Sequence, residues 1–189
     1  MKIVGVLALQ GAISEHLRTL ERLGAKGVSV RNADDLKAID GLIIPGGEST
    51  AISRLIRENR MEEPIRAFAG THAVFGTCAG LILCARAIEP EDRFVAPLGL
   101  IDIVVKRNGF GRQVDSFETV LDIPAVGAGI PAVFIRAPYI REAGADVTVL
   151  ASVDDRMVMA QQKNVLVTAF HPELTDDDRV FAYFLDMIG

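Results

Sequence analysis

From residue 2 to residue 84 short apolar runs alternate with amphipathic or polar stretches, and this alternation limits the fold more than any other feature of the sequence. Lys2 to Leu9 is an apolar run ending at Gln10-Gly11 and reads as a buried strand. Ala12 to Leu23 carries Ile13, Leu17, Leu20 and Leu23 on one stripe, an amphipathic helix that Gly24 ends. Gly27 to Arg31 is a second strand, Ala33 to Ile39 one or two helical turns opened by Asp34, and Gly41 to Ile44 a third strand. A helix capped by Ser49 or Thr50 then runs to about Asn59, and a shorter one spans Pro64 to Ala69. Ala73 to Leu83 begins as a strand and ends as a helix. Strands and helices alternating at this spacing make a parallel sheet covered on both faces.

Past the loop Pro90 to Pro97 the pattern changes. Six β-type segments come in close succession: Leu100 to Lys106, Phe117 to Leu121, Ala132 to Ile135, Val147 to Ser152, Met157 to Gln161 and Val165 to Phe170. Asp154-Asp155 and Lys163-Asn164 mark turns between the last three, a meander. Asp176 to Ile188 closes the chain as a helix with an acidic first turn. The sequence thus predicts one α/β domain over residues 1–189. Its architecture is a three-layer sandwich with a mostly parallel central sheet and a partly antiparallel C-terminal portion.

Composition narrows the partners. A net charge of −5 and a pI near 5.2 argue against nucleic acid or an anionic membrane surface. Met1 to Leu9 reads as a strand and not as a leader, because Gln10 interrupts the run early and no cleavage-like site follows. No apolar run is long enough to span a bilayer. Cys78 and Cys84 match neither a disulfide framework nor a metal spacing, so a reducing, cytoplasmic setting is expected.

Cys78 stands at the joint of the strand-to-helix stretch, in Gly76-Thr77-Cys78-Ala79-Gly80. This is a cysteine form of the G-x-S-x-G elbow, in which a sharp turn exposes the nucleophile and small neighbours let backbone approach. The first N–H groups of the following helix, beginning at Ala79, then face whatever the sulfur attacks. The competing reading of any cysteine is a small buried hydrophobe, and Cys84 suits that role. Acyl transfer on a thiol needs a base. His72 opens the elbow strand, roughly 20 Å from Cys78 at 3.3 Å per residue, and His16 lies in the first helix, where it reads as a surface residue. His171 ends an apolar strand and begins His171-Pro172-Glu173. Pro172 pushes His171 towards extended geometry, which puts Glu173 on its own side and able to fix its tautomer. Cys78, His171 and Glu173 therefore form the candidate triad.

Two loops complete the set. Pro45-Gly46-Gly47-Glu48-Ser49 follows a strand and precedes a helix, so its N–H groups can converge on an oxyanion. It lacks the Gly-Lys-Ser/Thr ending of a phosphate loop. Arg107 to Gln113 is a polar, glycine-bearing loop with two cations, and Ile135-Arg136-Ala137-Pro138 puts another arginine after a strand. Together these cations suit a small zwitterion or carboxylate.

Phe75 to Gly80, Pro45 to Thr50, Arg107 to Glu118, Phe134 to Pro138, His171 to Thr175 and the opening Gly5 to Ala12 together resemble the class I, triad-type glutamine amidotransferases. Among these they resemble the glutaminase subunits of pyridoxal 5′-phosphate synthase, over nearly the whole chain and in the same motif order. The resemblance implies a flavodoxin-like core and hydrolysis of L-glutamine to glutamate and ammonia by Cys78, His171 and Glu173. It implies glutamine binding by Gly47, Glu48, Ser49, Arg107, Ile135 and Arg136, an oxyanion site at Gly47 and Ala79, and neither metal nor organic cofactor on this chain. The implied partner is a (β/α)8-barrel synthase subunit in a large hetero-oligomer, which makes the cofactor from a pentose phosphate and a triose phosphate. His72-Ala73 and Tyr139 depart from the family pattern. Rival readings fit less well. The glutaminase of histidine biosynthesis has a different loop after the third strand, and DJ-1/PfpI-type hydrolases carry histidine where this chain has Ala79. An intact triad disfavours a non-enzymatic docking subunit.

Overall fold

The computed structural model describes residues 1–111 and 115–189, and its first half follows the alternation read from the sequence. The strands β1 (Ile3–Leu7), β2 (Lys26–Val30), β3 (Gly41–Ile44) and β4 (Ala73–Thr77) are joined through the helices α1 (Ile13–Arg22), α2 (Ser49–Glu58) and α3 (Glu62–Ala69). A 3-10 helix at Ala33–Ala38 links β2 to β3; Asn32 caps it, with Asp35 reaching back to complete a capping box. α4 (Ala79–Cys84) follows β4 directly. Then come β5 (Ala87–Glu89), β6 (Ile103–Lys106), β7 (Ser116–Ile123), β8 (Gly127–Ile135), β9 (Tyr139–Ala143), β10 (Thr148–Val153), β11 (Arg156–Gln162) and β12 (Val165–Thr168). A 3-10 turn at Pro172–Leu174 and α5 (Arg179–Met187) end the chain.

One sheet runs in the order β2-β1-β3-β4-β12-β11-β9-β6-β5, with β10 also on β11. The strands β2, β1, β3, β4 and β12 are parallel, and β10, β11 and β12 form the expected antiparallel meander. β7 and β8 pair separately as a two-stranded hairpin. Side-chain alternation along β4 divides the covering layers. Phe75 faces Phe181 and Phe184 of α5, with ring centroids 5.6 and 5.3 Å apart, whereas Gly76 faces Gly80 and Cys84 of α4. The result is the predicted α/β sandwich. Among the described residues no helix is long and apolar enough to cross a membrane.

Several local expectations are corrected. The cap of α2 is the Glu48 carboxylate, which accepts from Thr50 N–H at 3.0 Å and Ala51 N–H at 2.7 Å, and not Ser49 or Thr50. A carboxylate at that point is also favoured by the helix dipole. The final helix starts only at Arg179, because Asp177 is turned back onto Arg179 and Asp178 pairs with Arg22 across the fold. β5 and β9 were not anticipated: three and five residues long, they sit among loops whose composition hides them. Tyr139, at the head of β9, packs on Gly109 and shares the Arg156 guanidinium with Phe110.

At the elbow backbone crosses backbone closely. A Cβ on Gly80 would lie 2.0 Å from Ile44 O, and one on Gly76 would lie 2.5 Å from Gly80 O. Neither neighbour is a side chain that can rotate away. Gly80→Ala should therefore cost about 2–3 kcal/mol in urea unfolding, as overpacking does. Gly24→Ala is the control: its φ is +74 but a Cβ there meets nothing within 4 Å, so only about 1 kcal/mol should be lost.

Candidate active site

Cys78 occupies φ +51 and ψ −104, a conformation that side chains rarely adopt. It is held there because its N–H donates to Thr168 O at 2.8 Å, carrying the β4–β12 ladder one residue past the last paired strand position. α4 begins at the next residue, so Ala79 N–H is one of the helix's opening donors. The Cys78 thiol lies 3.9 Å from Ile135 O. Cys84, by contrast, is wholly buried beneath the elbow, and burial pushes its thiol up to about 12.

His171 reaches the same point from β12. Its N–H donates to Val133 O at 2.8 Å, which ties the strand end to β8. The segment after it is not extended, as the sequence suggested, but the 3-10 turn Pro172–Leu174. Proline at the first helical position favours that turn, which brings the carboxylate back onto the ring. His171 Nδ1 lies 2.6 Å from Glu173 Oε1, and the imidazole shares the pocket wall with Cys78. Both side chains flank Gly46: a Cβ there would lie 2.7 Å from His171 Cε1 and 3.4 Å from Cys78 Cβ. Burial alone would lower the His171 pKa, but the bonds and charges of Cys78 and Glu173 outweigh it and raise it to about 10. Burial would likewise raise Glu173, yet the His171 bond and the nearby imidazoles hold it below its usual value.

The three histidines do not stand where the sequence alone put them all. His72 is exposed at the far end of β4, stacked on Phe68 as expected of a residue remote from the elbow. His16 is not on the surface. It is completely buried, with Nε2 3.4 Å from Thr77 Oγ1 and 4.0 Å from Glu173 Oε1. The signal was present: position 16 is three residues after Ile13 and four before Leu20, inside the apolar stripe.

A pocket of about 520 Å³ opens over the sulfur, lined by Cys78, Ala79 and His171 and by every binding residue named from the sequence. Those are Gly47, Glu48, Ser49, Arg107, Ile135 and Arg136; Gln10, Ile82, Asn108 and Pro138 join them. Glu173 stands behind His171, outside the lining. Arg107 pairs with Asp92, a partner that sequence reasoning did not find. Arg136, at φ +42, receives no comparable hold: its guanidinium is 3.9 Å from Asp115 and both side chains are largely exposed. Arg112 and Gln113 of the same loop lie outside the described residues. Glu48 would be raised by burial, but the amide bonds from Ala51 and Thr50 and the Arg107 charge keep it below its ordinary value. Gln10 Oε1 accepts from Glu48 N–H at 3.0 Å, and Ala12 N–H donates to Gly46 O at 3.1 Å. Among the described residues no cluster of His, Cys, Asp and Glu is suited to a metal ion.

The raised His171 value carries a stability prediction. A group raised from 6.5 to about 10 on folding contributes fully below pH 6.5, and the contribution is lost as pH rises through about 10. The stability difference between the protein and His171→Gln, followed by urea unfolding, should therefore shrink steadily between those limits. A difference that grows with pH would contradict the pairing.

Known proteins bear on this site. Residues 6–189 match the SNO glutamine amidotransferase family. The chain is 55% identical over 187 residues to the pyridoxal 5′-phosphate synthase subunit PdxT of Oceanobacillus iheyensis, covering 98% of this chain and 93% of that one. It is 55% identical over 188 residues to the PdxT of Moorella thermoacetica, covering 98% and 99%. A crystal structure of a glutamine amidotransferase superposes with a TM-score of 0.92 at 46% identity, over 98% of each chain. PurLQS from Thermotoga maritima, at 17% identity and a TM-score of 0.64 over 100% of each chain, shares the fold alone. With the elbow cysteine, His171 and the glycine loop gathered in one pocket and Glu173 behind it, the match in sequence and in structure shows that this chain belongs to the SNO glutamine amidotransferase family.

Proposed function

We propose that this chain hydrolyses L-glutamine to L-glutamate and ammonia through Cys78, His171 and Glu173, and passes the ammonia to a pyridoxal 5′-phosphate synthase subunit. The observation that carries the chemistry is the His171–Glu173 contact of 2.6 Å, with the same imidazole and the elbow cysteine both set against Gly46 on one pocket wall. The relatives named PdxT support the pathway. Cys78 sulfur attacks the carboxamide carbon, and the proton held by His171 goes to the departing ammonia. Water then attacks the thioester; His171 takes its proton and returns it to the sulfur as glutamate leaves. Ala79 N–H and Gly47 N–H are the oxyanion donors in this scheme. Glu48, Arg107 and Arg136 on the pocket wall complement the α-ammonium and α-carboxylate of glutamine. The synthase is a (β/α)8-barrel in this reading, docked in a large hetero-oligomer, and the setting is cytoplasmic. No cofactor takes part on this chain, and neither nucleic acid nor membrane is a partner.

The thiol test is direct. Cys78→Ala should abolish ammonia release from glutamine, while Cys84→Ala, a change in the buried layer below, should keep most of it. The Cys78→Ala complex should still make pyridoxal 5′-phosphate from added ammonium. Glutamine hydrolysis surviving in Cys78→Ala would overturn the assignment.

Free ammonia escapes to water, so hydrolysis is useful only with an acceptor docked, and the Gly46–Gly47 peptide is the proposed switch. Its carbonyl accepts from Ala12, which in a trans peptide turns Gly47 N–H away from α1. Rotating that peptide would exchange N–H and carbonyl on the two sides, and losing one oxyanion donor costs about 10²–10³ in turnover. Gln10, bonded to Glu48 beside this peptide, is the candidate relay to the interface. Ammonia release by the isolated chain should be low and rise on titration with the synthase partner. A rate already maximal alone and unchanged at saturation would exclude the switch.

A further inference from the structure

The buried histidine of α1 is unused by the mechanism above, and its neighbours are few and specific. His16 Nε2 is 4.0 Å from Glu173 Oε1 and 3.4 Å from Thr77 Oγ1, on the residue that precedes the nucleophile. Its ring meets Phe181 of α5 edge-on, with centroids 5.5 Å apart. Both side chains of the His16–Glu173 pair are fully buried. Each also keeps an atom with no hydrogen-bond partner among the described residues, His16 Nδ1 and Glu173 Oε2. A buried carboxylate seeks donors, and besides His171 the His16 ring stands within 4.0 Å of this one, at Oε1.

The tautomer follows from the neighbour. An ionised carboxylate only accepts, so Nε2 can serve it only in the tautomer that carries the proton there. Burial and the adjoining His171 charge keep the second imidazole neutral, against the opposite pull of Glu173 and Glu15. A neutral Nε2–H ring at 4.0 Å stands about 1 Å outside hydrogen-bond range, and the pair must approach by that much to bond. Facing Glu173 are His171 from its own turn, with Cys78 beyond it, and His16 from α1, whose Nε2 also meets the Thr77 hydroxyl of β4.

We propose that His16 is a positioning residue for the triad: its Nε2–H holds the Glu173 carboxylate ionised and aimed at His171 Nδ1. The inference rests on the glutaminase reading for its kinetic arm only. α1 then serves the site at two points one turn apart, Ala12 on the Gly46 carbonyl and His16 on Glu173.

The test compares His16→Gln with His16→Met. The Gln amide nitrogen is as many bonds from Cβ as Nε2 and keeps a donor; Met has the same reach and none. Losing the donor makes Glu173 easier to protonate, so the acid limb of Cys78 alkylation by iodoacetamide should move up by about 0.5–1 pH unit in His16→Met. It should stay near the wild-type position in His16→Gln. Cys84 is too buried to contribute. In the glutaminase assay with the synthase partner, kcat should fall about tenfold in His16→Met while KM for glutamine holds, and His16→Gln should restore most of it. In a Glu173→Gln background His16→Met should add no further loss. Superimposable pH profiles for Gln and Met, or additive losses with Glu173→Gln, would overturn the proposal. If His16→Met does not fold, His16→Asn replaces it, since its amide falls one methylene short and should reproduce the upward shift; an Asn profile equal to that of Gln would overturn it equally. Absence of glutaminase activity in the wild-type complex would refute the function and leave the alkylation arm to judge His16.

Discussion

The whole site hangs on the strained backbone of one residue. Cys78 at φ +51 and ψ −104 costs about 1–3 kcal/mol relative to an ordinary conformation, and three features hold it there. Its N–H is anchored on β12, Gly76 admits the returning helix backbone, and Gly80 admits the carbonyl of Ile44 at the end of β3. The parallel register β3–β4–β12 fixes where those three meet. In that register Thr77 stands beside Thr168, so the residues that follow β4 and β12 emerge together, Cys78 from one and His171 from the other. A nucleophile and a base 93 residues apart in sequence thus need no contact of their own to find each other. The sheet brings them together, as parallel sheets do at the carboxyl ends of their strands.

Helix α1 has a less obvious part. Its N-cap residue Ala12 supplies the donor that orients the Gly46 carbonyl, and its first turn ends on the imidazole behind Glu173. Phe181 of α5 packs against that same imidazole and against Phe75 of β4, so the helix layer on this face is keyed to the elbow strand by rings. A rigid shift of α1 would be felt by both the oxyanion loop and the triad. The loop also meets His171 directly at Gly46, and α1 touches both the loop and Glu173.

What the sequence made legible follows from how local each signal is. The four leading parallel strands are short apolar runs punctuated by glycine or polar pairs, and their limits came out within a residue or two. Cys78 and His171 were legible because each stands directly beyond such a run. The burial of His16 was missed because an imidazole reads as polar, although its position in the Ile13–Leu20 stripe placed it inward. The Glu48 cap was missed for a related reason: Ser49 and Thr50 are commoner caps, and composition cannot show which side chain turns towards the open N–H groups. β9 was missed because Tyr139, Arg141 and Glu142 look like loop residues; its partners, β6 and β11, are distant in sequence and supply the ladder. Glu173 meets His171 through a 3-10 turn and not the extended pair that the sequence suggested, since both geometries can bring i and i+2 together.

The charges lining the pocket are of both signs. Each is already answered within the protein: Arg107 by Asp92, Glu48 by the first amides of α2, and Arg136 loosely by Asp115. A simple anion entering would draw on the arginines but leave Glu48 facing it, and a simple cation would meet the reverse. An α-amino acid presents both charges on one carbon, so it can meet both walls without leaving either uncompensated. The Glu48 carboxylate oxygens each accept one amide and retain further lone pairs, which lets the helix cap and an ammonium share one group. Arg136 is the least constrained of the three, with an exposed guanidinium on a backbone at φ +42. It is the wall residue with most freedom to move onto a bound carboxylate, whereas Arg107 must first give up part of its hold on Asp92.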